Sequence, residues 1–520
     1  MSLSTATPRP QSTLGRIGIS GRGLALVAGF LALLLRTALF DPDYYWHIEA
    51  GRWIVVHGML PSTDPFSFTM TGQPWITHEW LFEILLYGFF AAAGSFGAKL
   101  LSALLGIGAV KLVYAAANKV LARPTQAAWL AAAFYVFVYE FPSPRPQLLT
   151  YLFLAAYFCV LAMLKYGKDG RLLPALPLIM IAWVNAHGGY LIGIFLLAAF
   201  GLSEWLVLRA SAADDGGNRR LRRFAVASAL TVLATLCNPQ FIAHWAYPFT
   251  VMGMEASRHI AEWWSPDFNS LLGRLYLLMV AGFCTLQIYR KRKPDLTEFA
   301  VPGLFIVAGF LANRHLPLAA MAMTVFAAPV VRDGLQIAAA PPPWILGPWR
   351  RWRNYATQGK TLGRTEGQLN LAVALALAVV AATYYPTARA GEAAFIRAKL
   401  PVDAVQFILD HRIEGRMFNS YDFGGYLIHR LYPQQRVFID GRADMYGDRF
   451  FMEFGTMANG GPGWAALFDT YAVDYVICQR DAAIRQLLIA RGDFRLVYDD
   501  ATSSVLVRNI ASFATIPTIE

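Results

Sequence analysis

Residues 39–53 read LFDPDYYWHIEAGRW, a stretch that begins where an apolar run ends and steps off it through Asp41-Pro42-Asp43. If a helix starts just after Pro42, Asp43 and His47 stand at i and i+4 on one face, with Asp41 beside that face. Two carboxylates and an imidazole can bind a hard divalent cation and leave one group to take a proton from an attacking hydroxyl. The competing reading is an Asp-Pro helix start, one carboxylate capping the first turn and the Tyr and Trp residues anchoring an interface. Which reading holds depends on where the chain places this lip.

The 520 residues are 56% hydrophobic and only 15% charged, with positive mean hydropathy. Those values exclude an ordinary soluble enzyme and indicate a polytopic α-helical membrane protein. The net charge of +11 lies in short basic clusters between apolar runs, as in cytoplasmic loops, so no nucleic-acid partner is expected. Cys159, Cys237, Cys284 and Cys478 form no disulfide framework or CxxC pair. Residues 1–23 carry Arg9, Arg16 and Arg22 ahead of an apolar run to Phe40, with no small-x-small cleavage site before Asp41. This predicts a retained first span with a cytoplasmic N-terminus.

Apolar runs predict spans near 24–40, 98–121, 126–142, 147–164, 172–186, 188–208, 224–238, 274–289, 299–312, 315–331 and 369–386, about eleven in all. Basic loops at Lys165–Arg171, Arg219–Arg223, Arg290–Lys293 and Arg350–Arg364 all fall on one side only if Leu81–Gly94 is not counted. That segment is therefore expected to lie on the outer face as an interfacial or re-entrant helix, with Glu83 toward water. The transmembrane part is then 24–386, with a large outer loop at 41–97. Residues 387–520 read as a small α/β domain outside the cytoplasm, with strands at Arg436–Asp440 and Tyr475–Cys478 and a hairpin around Asp499-Asp500. The expected location is the inner membrane, with this domain periplasmic.

With that threading, the chemistry-bearing residues gather on the outer side. The first loop also supplies Asp64, His78 and Glu79, and the turns SPRPQ and NAHGG supply Arg145 and His187. Arg314-His315 and the aromatic loop 238–268, with Arg258, lie at a similar level. Charges at the edge of hydrocarbon are costly unless paired or functional, and Arg with His suits a lipid phosphate or diphosphate. Each has a bland counterpart: headgroup snorkelling for Arg145 and Arg314, a satisfied interhelical contact for His187, a helix cap for Glu79. In FIDGRADMY (438–446), Asp440, Arg442 and Asp444 are read as pairing with one another.

The stretch FDPDYYWH, the spacing of Gly58, Pro61 and Asp64, the HEW that leads a helix, and the span-like GAKLLSALLGIGAVKLVYAAANKVLAR resemble the GT-C superfamily of polyprenyl-phosphate-dependent glycosyltransferases. That superfamily includes protein O-mannosyltransferases, aminoarabinose transferases and oligosaccharyltransferase catalytic subunits. The pattern covers roughly residues 24–165, and the rest resembles the superfamily in architecture. It implies a GT-C-like helical body and an inverting, hexosyltransferase-type transfer from a polyprenyl-phosphate-linked sugar to a glycan, lipid or protein acceptor. By it, Asp41 activates the acceptor and Asp43 binds metal or acceptor, with Glu79 a second ligand for Mg or Mn. From their place on the outer side, His47, His78, Glu79, Arg145, His187, Arg258, Arg314 and His315 are expected to bind substrate, and the resemblance implies that Arg314 holds the donor phosphate. The sequence departs from the superfamily where His78-Glu79-Trp80 replaces a His-Pro-Pro-Leu-like segment, and no Trp-Trp-Asp acceptor motif is present. Two other classes compete: a non-catalytic carrier or transporter of lipid-linked glycans, and an assembly subunit of an envelope complex. The absence of an internal repeat and of mid-span charges disfavours the transporter.

Overall fold

The computed structural model describes residues 19–36, 41–141, 143–210, 215–255, 261–334 and 364–519. A helix occupies each of the apolar runs: α1 (Gly21–Leu35), α3 (Trp80–Leu121), α4 (Pro124–Glu140), α5 (Gln147–Tyr166), α6 (Ala175–Val184), α7 (Tyr190–Ala210) and α8 (Asp215–Ala234) come first. After a short α9 (Tyr247–Gly253) follow α10 (Leu271–Ile288), α11 (Leu296–Leu311), α12 (Leu316–Asp333) and α13 (Arg364–Lys399). Among the described residues, six helices are long and apolar enough to cross a membrane, while α1, α6 and α11 are shorter apolar helices. Local chemistry fixes several starts. Ser20 caps α1 through the Gly23 amide, Pro124 opens α4, and Asp295 with Glu298 forms a capping box on α11. The core of the body joins α3 to α8 with α10, α11 and α12, and α12 is buried along nearly its whole length.

The segment expected to lie on the outer face is the first arm of α3, which breaks at Ala93 and Gly94 before the membrane-spanning arm begins. Gly94 takes φ +58°, a conformation open to glycine at no steric cost. Glu83 on this arm does not face water as expected. It is buried, because α2 (Tyr44–His57) packs across it at Gly51, where a Cβ would overlap the Glu83 carbonyl. The loop expected on the outer side is thus a folded layer rather than a solvated one.

The last long helix continues past the expected boundary at 386 to Lys399, carrying Pro386 inside it. Beyond it a four-stranded sheet runs in the order β1 (Met417–Asn419), β2 (Tyr475–Gln479), β4 (Ser503–Arg508), β3 (Phe494–Asp499). The first pair is parallel and the rest antiparallel, with the expected hairpin closing at Asp500. The strand predicted at Arg436–Asp440 is not in this sheet. Its Phe438 and Ile439 amides bond to the Asn419 side chain, and Val437 makes a parallel bridge to Ser67 of the first outer loop.

A second core accordingly runs through both regions. It contains Tyr44, Trp46, Phe66 and Phe82 together with Leu400, Phe423, Val437 and Tyr475. Asp64, a candidate site residue in the sequence, serves this junction: Arg442 spans Asp64 and Asp440 and lies over the rings of Phe66 and Trp75. Arg442 and Asp440 pair as expected, whereas Asp444 turns away to Tyr247.

Candidate active site

Asp41 and Asp43 leave the first span side by side, and Arg145 comes to them from the 143–147 turn. The guanidinium grips Asp41 with Nε and one terminal nitrogen, the latter 2.7 Å from Oδ1, and reaches Asp43 Oδ2 at 3.1 Å and Glu262 Oε1 at 2.6 Å. The Ser143 hydroxyl and the Asp43 amide donate the remaining bonds to Asp41. Burial alone would raise the Asp41 pKa, but Arg145 and these donors outweigh it and hold it below the usual carboxylate value. Asp43 is less well served: Trp46 Nε1 donates to it at 3.1 Å, and its side chain is 25% exposed. Burial and the Asp41 charge outweigh Arg145 there and lift its pKa to about 6. Asp43 flanks α2 as the cap residue yet makes no side-chain capping bond, so the capping alternative does not describe it.

A second cluster surrounds Glu79, which also makes no capping bond at the start of α3. Its carboxylate has His78 Nε2 at 3.5 Å, His187 Nε2 at 3.8 Å and His47 Nε2 at 3.9 Å, while His47 Nδ1 lies 3.6 Å from Glu83. Burial works against a charged His78, but the Glu79 carboxylate prevails and raises its pKa to about 9. In turn, burial of Glu79 is outweighed by His78, His47 and His187, which bring it to about 2. His187 behaves differently. Its Nδ1 accepts from the Gly189 amide and meets Thr150 Oγ1 at 2.8 Å, fixing the tautomer that presents Nε2–H to Glu79. Chiefly because it is buried, its pKa falls to about 3. Asn185 anchors the start of α3 by accepting from Trp80 Nε1 and from the Leu81 amide.

Arg314, at the turn into α12, stacks over the Trp263 ring at 4.4 Å and has no ion pair or side-chain hydrogen bond among the described residues. It lies within electrostatic reach of Glu262, Arg145 and Glu79, which links the two clusters. His315 beside it turns inward to the Ala308 carbonyl, 3.2 Å away, as a local helix contact. Arg258 lies outside the described residues.

The structure therefore brings together Asp41, Asp43 and Arg145 as one group and His47, His78, Glu79 and His187 as another. Glu83, Ser143, Tyr247, Glu262 and Asp444 join them without having been read as site residues from the sequence. Tyr247 packs on the His78 ring and donates to Asp444 at 2.5 Å. Its signal was the interleaving of aromatic and polar residues in 238–268, which suited a membrane surface equally well. The expected divalent-cation ligands do not converge: Asp43 faces Arg145 and Trp46, and Glu79 faces three imidazoles. Among the described residues no group of three or more His, Cys, Asp or Glu side chains is arranged to hold a metal ion.

A kinked arm ahead of a helical bundle, with an acidic pair after the first helix and a small α/β region beyond the last long one, is a fold this chain shares with solved membrane-protein structures. The chain is similar to the crystal structure of ArnT from Cupriavidus metallidurans bound to undecaprenyl phosphate, with 17% identity and a TM-score of 0.52 over 94% of this chain and 97% of that one. It is also similar to the archaeal oligosaccharyltransferase AglB from Archaeoglobus fulgidus in complex with an inhibitory peptide and a dolichol-phosphate. That likeness has 12% identity and a TM-score of 0.55 over 95% of this chain and 74% of that one. No protein-family model and no curated protein matches the sequence.

Proposed function

We propose that this chain is a multi-pass inner-membrane glycosyltransferase that moves a sugar from a polyprenyl-phosphate-linked donor to an acceptor at the periplasmic face. The observation that carries the reading is a protonatable carboxylate, Asp43, joined through Arg145 to Glu262, within whose electrostatic reach lies Arg314, a guanidinium with no ion pair among the described residues. Asp43 accepts the proton of the attacking acceptor as the acceptor oxygen bonds to the sugar C1, with inversion. The C1–phosphate bond breaks, and Arg314 stabilises the charge that grows on the departing phosphate. The neighbours solved with undecaprenyl phosphate and dolichol-phosphate support a lipid phosphate as the ligand.

The geometry favours exchanging the roles read from the sequence. Asp41, saturated by Arg145, Ser143 and a backbone amide, holds Arg145 in place, and Asp43 with its spare acceptor capacity is the base. No step is assigned to a divalent cation. The same threading puts the N-terminus in the cytoplasm and the α/β domain outside it.

Mass spectrometry of lipid retained by the purified protein, with undecaprenyl phosphate added as probe, tests the reading. Arg314→Ala is expected to weaken retention roughly 10- to 100-fold, the worth of a charge-assisted hydrogen bond. Unchanged retention overturns the assignment of Arg314. Retention without transfer of any sugar from a panel of labelled undecaprenyl-phosphate sugars to envelope extracts would favour a lipid-linked glycan carrier instead.

A further inference from the structure

The C-terminal domain touches the acidic pair itself. Its Gly425 lies so close to the Pro42 carbonyl that a Cβ would overlap the oxygen, and at Gly441 a Cβ would overlap Asp43 Oδ1. The same methyl would stand 3.1 Å from Trp46 Nε1, the donor that orients Asp43. Gly441 is held there by both of its neighbours. Asp440 and Arg442 are locked into the buried network with Asp64, and Tyr446 donates to Asp440 at 2.7 Å. The Tyr421 hydroxyl meets the Gly441 carbonyl at 3.3 Å. A turn fixed on both sides, and bare of a side chain where it meets a carboxylate, sets where that carboxylate can point.

We propose that Gly441 is a positioning residue for Asp43: the C-terminal domain presses a side-chain-free turn against the carboxylate and thereby fixes its orientation in the site. The proposal rests on the reading of Asp43 as the base. Displacing a reacting group by about 1 Å costs up to about 100-fold in rate. Gly441→Ala is therefore expected to lower turnover of an undecaprenyl-phosphate-linked sugar about 10- to 100-fold, with the donor KM within about twofold.

Four full-length variants separate this from a general loss of folding: Gly441→Ala, Asp43→Asn, their double variant, and Gly455→Ala. Gly455 is the control because a Cβ there meets nothing within 4 Å. With 5-fluorotryptophan incorporated, the Trp46 fluorine resonance, assigned by its loss in Trp46→Phe, is expected to shift in Gly441→Ala and not in Gly455→Ala. The double variant is expected to turn over no more slowly than Asp43→Asn alone, since both act on one group. Multiplying rate losses, or an unmoved Trp46 resonance in a folded Gly441→Ala protein, overturns the proposal. Should Gly441→Ala fail to fold, Asp43→Ala/Gly441→Ala removes the overlapping carboxylate and is expected to restore folding, and failure to do so is equally fatal. If Asp43→Asn retains the wild-type rate, the functional reading falls. A loss in Asp43→Asn with none in Gly441→Ala removes the positioning role alone.

Discussion

Asp41 and Asp43 are two positions apart and their pKa values move in opposite directions, one held down by Arg145 and the other raised to about 6. Under the proposed function that divergence divides the labour between anchor and base. Asp43→Asn is expected to cut transfer roughly 100- to 10,000-fold while lipid retention persists. In the wild type the base works when ionised, so the rate is expected to climb as pH rises through about 6 and level off above it. A flat profile from pH 5 to 8 would refute the role. The His78–Glu79 pair gives a stability signature instead. His78 is raised in the folded state, so its contribution is complete below about 6.5, the unfolded value, and is lost as pH rises through about 9. Glu79 is depressed, so its contribution is present above about 4.5 and is lost as pH falls through about 2. Thermal unfolding of His78→Gln should thus fall below the wild type between those limits and converge with it at alkaline pH. At this scale the sequence revealed the acidic pair and the His78-Glu79 step, because each is local. It did not reveal that Arg145 belongs to Asp41, since 104 positions separate them.

Among the elements, each apolar run read from the sequence coincides with a described helix, and the break at Ala93 and Gly94 falls where the loop charges called for a separate arm before residue 98. The arm's burial was not legible. An amphipathic segment with Glu83 reads as interfacial whether water or another helix meets the polar side, and only the α2 packing distinguishes them. That packing depends on Gly51, so Gly51→Ala is expected to force the two helices apart at a cost of about 1–3 kcal/mol or more. Because His47 rides on α2 and Glu79 and Glu83 on the arm, transfer should drop together with the melting temperature. A melting temperature within a degree of wild type would show that the arm has room the structure does not indicate. The strand predicted at 436–440 failed for a related reason. Its β-branched pattern is real, but its partner is the first outer loop rather than the sheet.

For the whole molecule, the outer loop and the C-terminal domain form one body around Arg442. Removing a buried guanidinium that serves two carboxylates typically costs about 3–5 kcal/mol. Arg442→Met is accordingly expected to expose the junction, with limited proteolysis cutting near residue 400 faster than in the wild type while the membrane body stays intact. Equal cleavage rates would show that the docking does not depend on this residue. Composition made the membrane body and the α/β tail legible as separate regions, but a contact between chain ends leaves no local pattern. The Thr69 hydroxyl meets the Phe438 carbonyl across 369 positions, next to the bridge that joins Ser67 to Val437. During synthesis the first loop emerges early and must wait for residues near 437 before it gains this partner. The acidic pair therefore stays unroofed until synthesis has passed Gly441, and a ribosome that stops short leaves a membrane body on which that contact was never made.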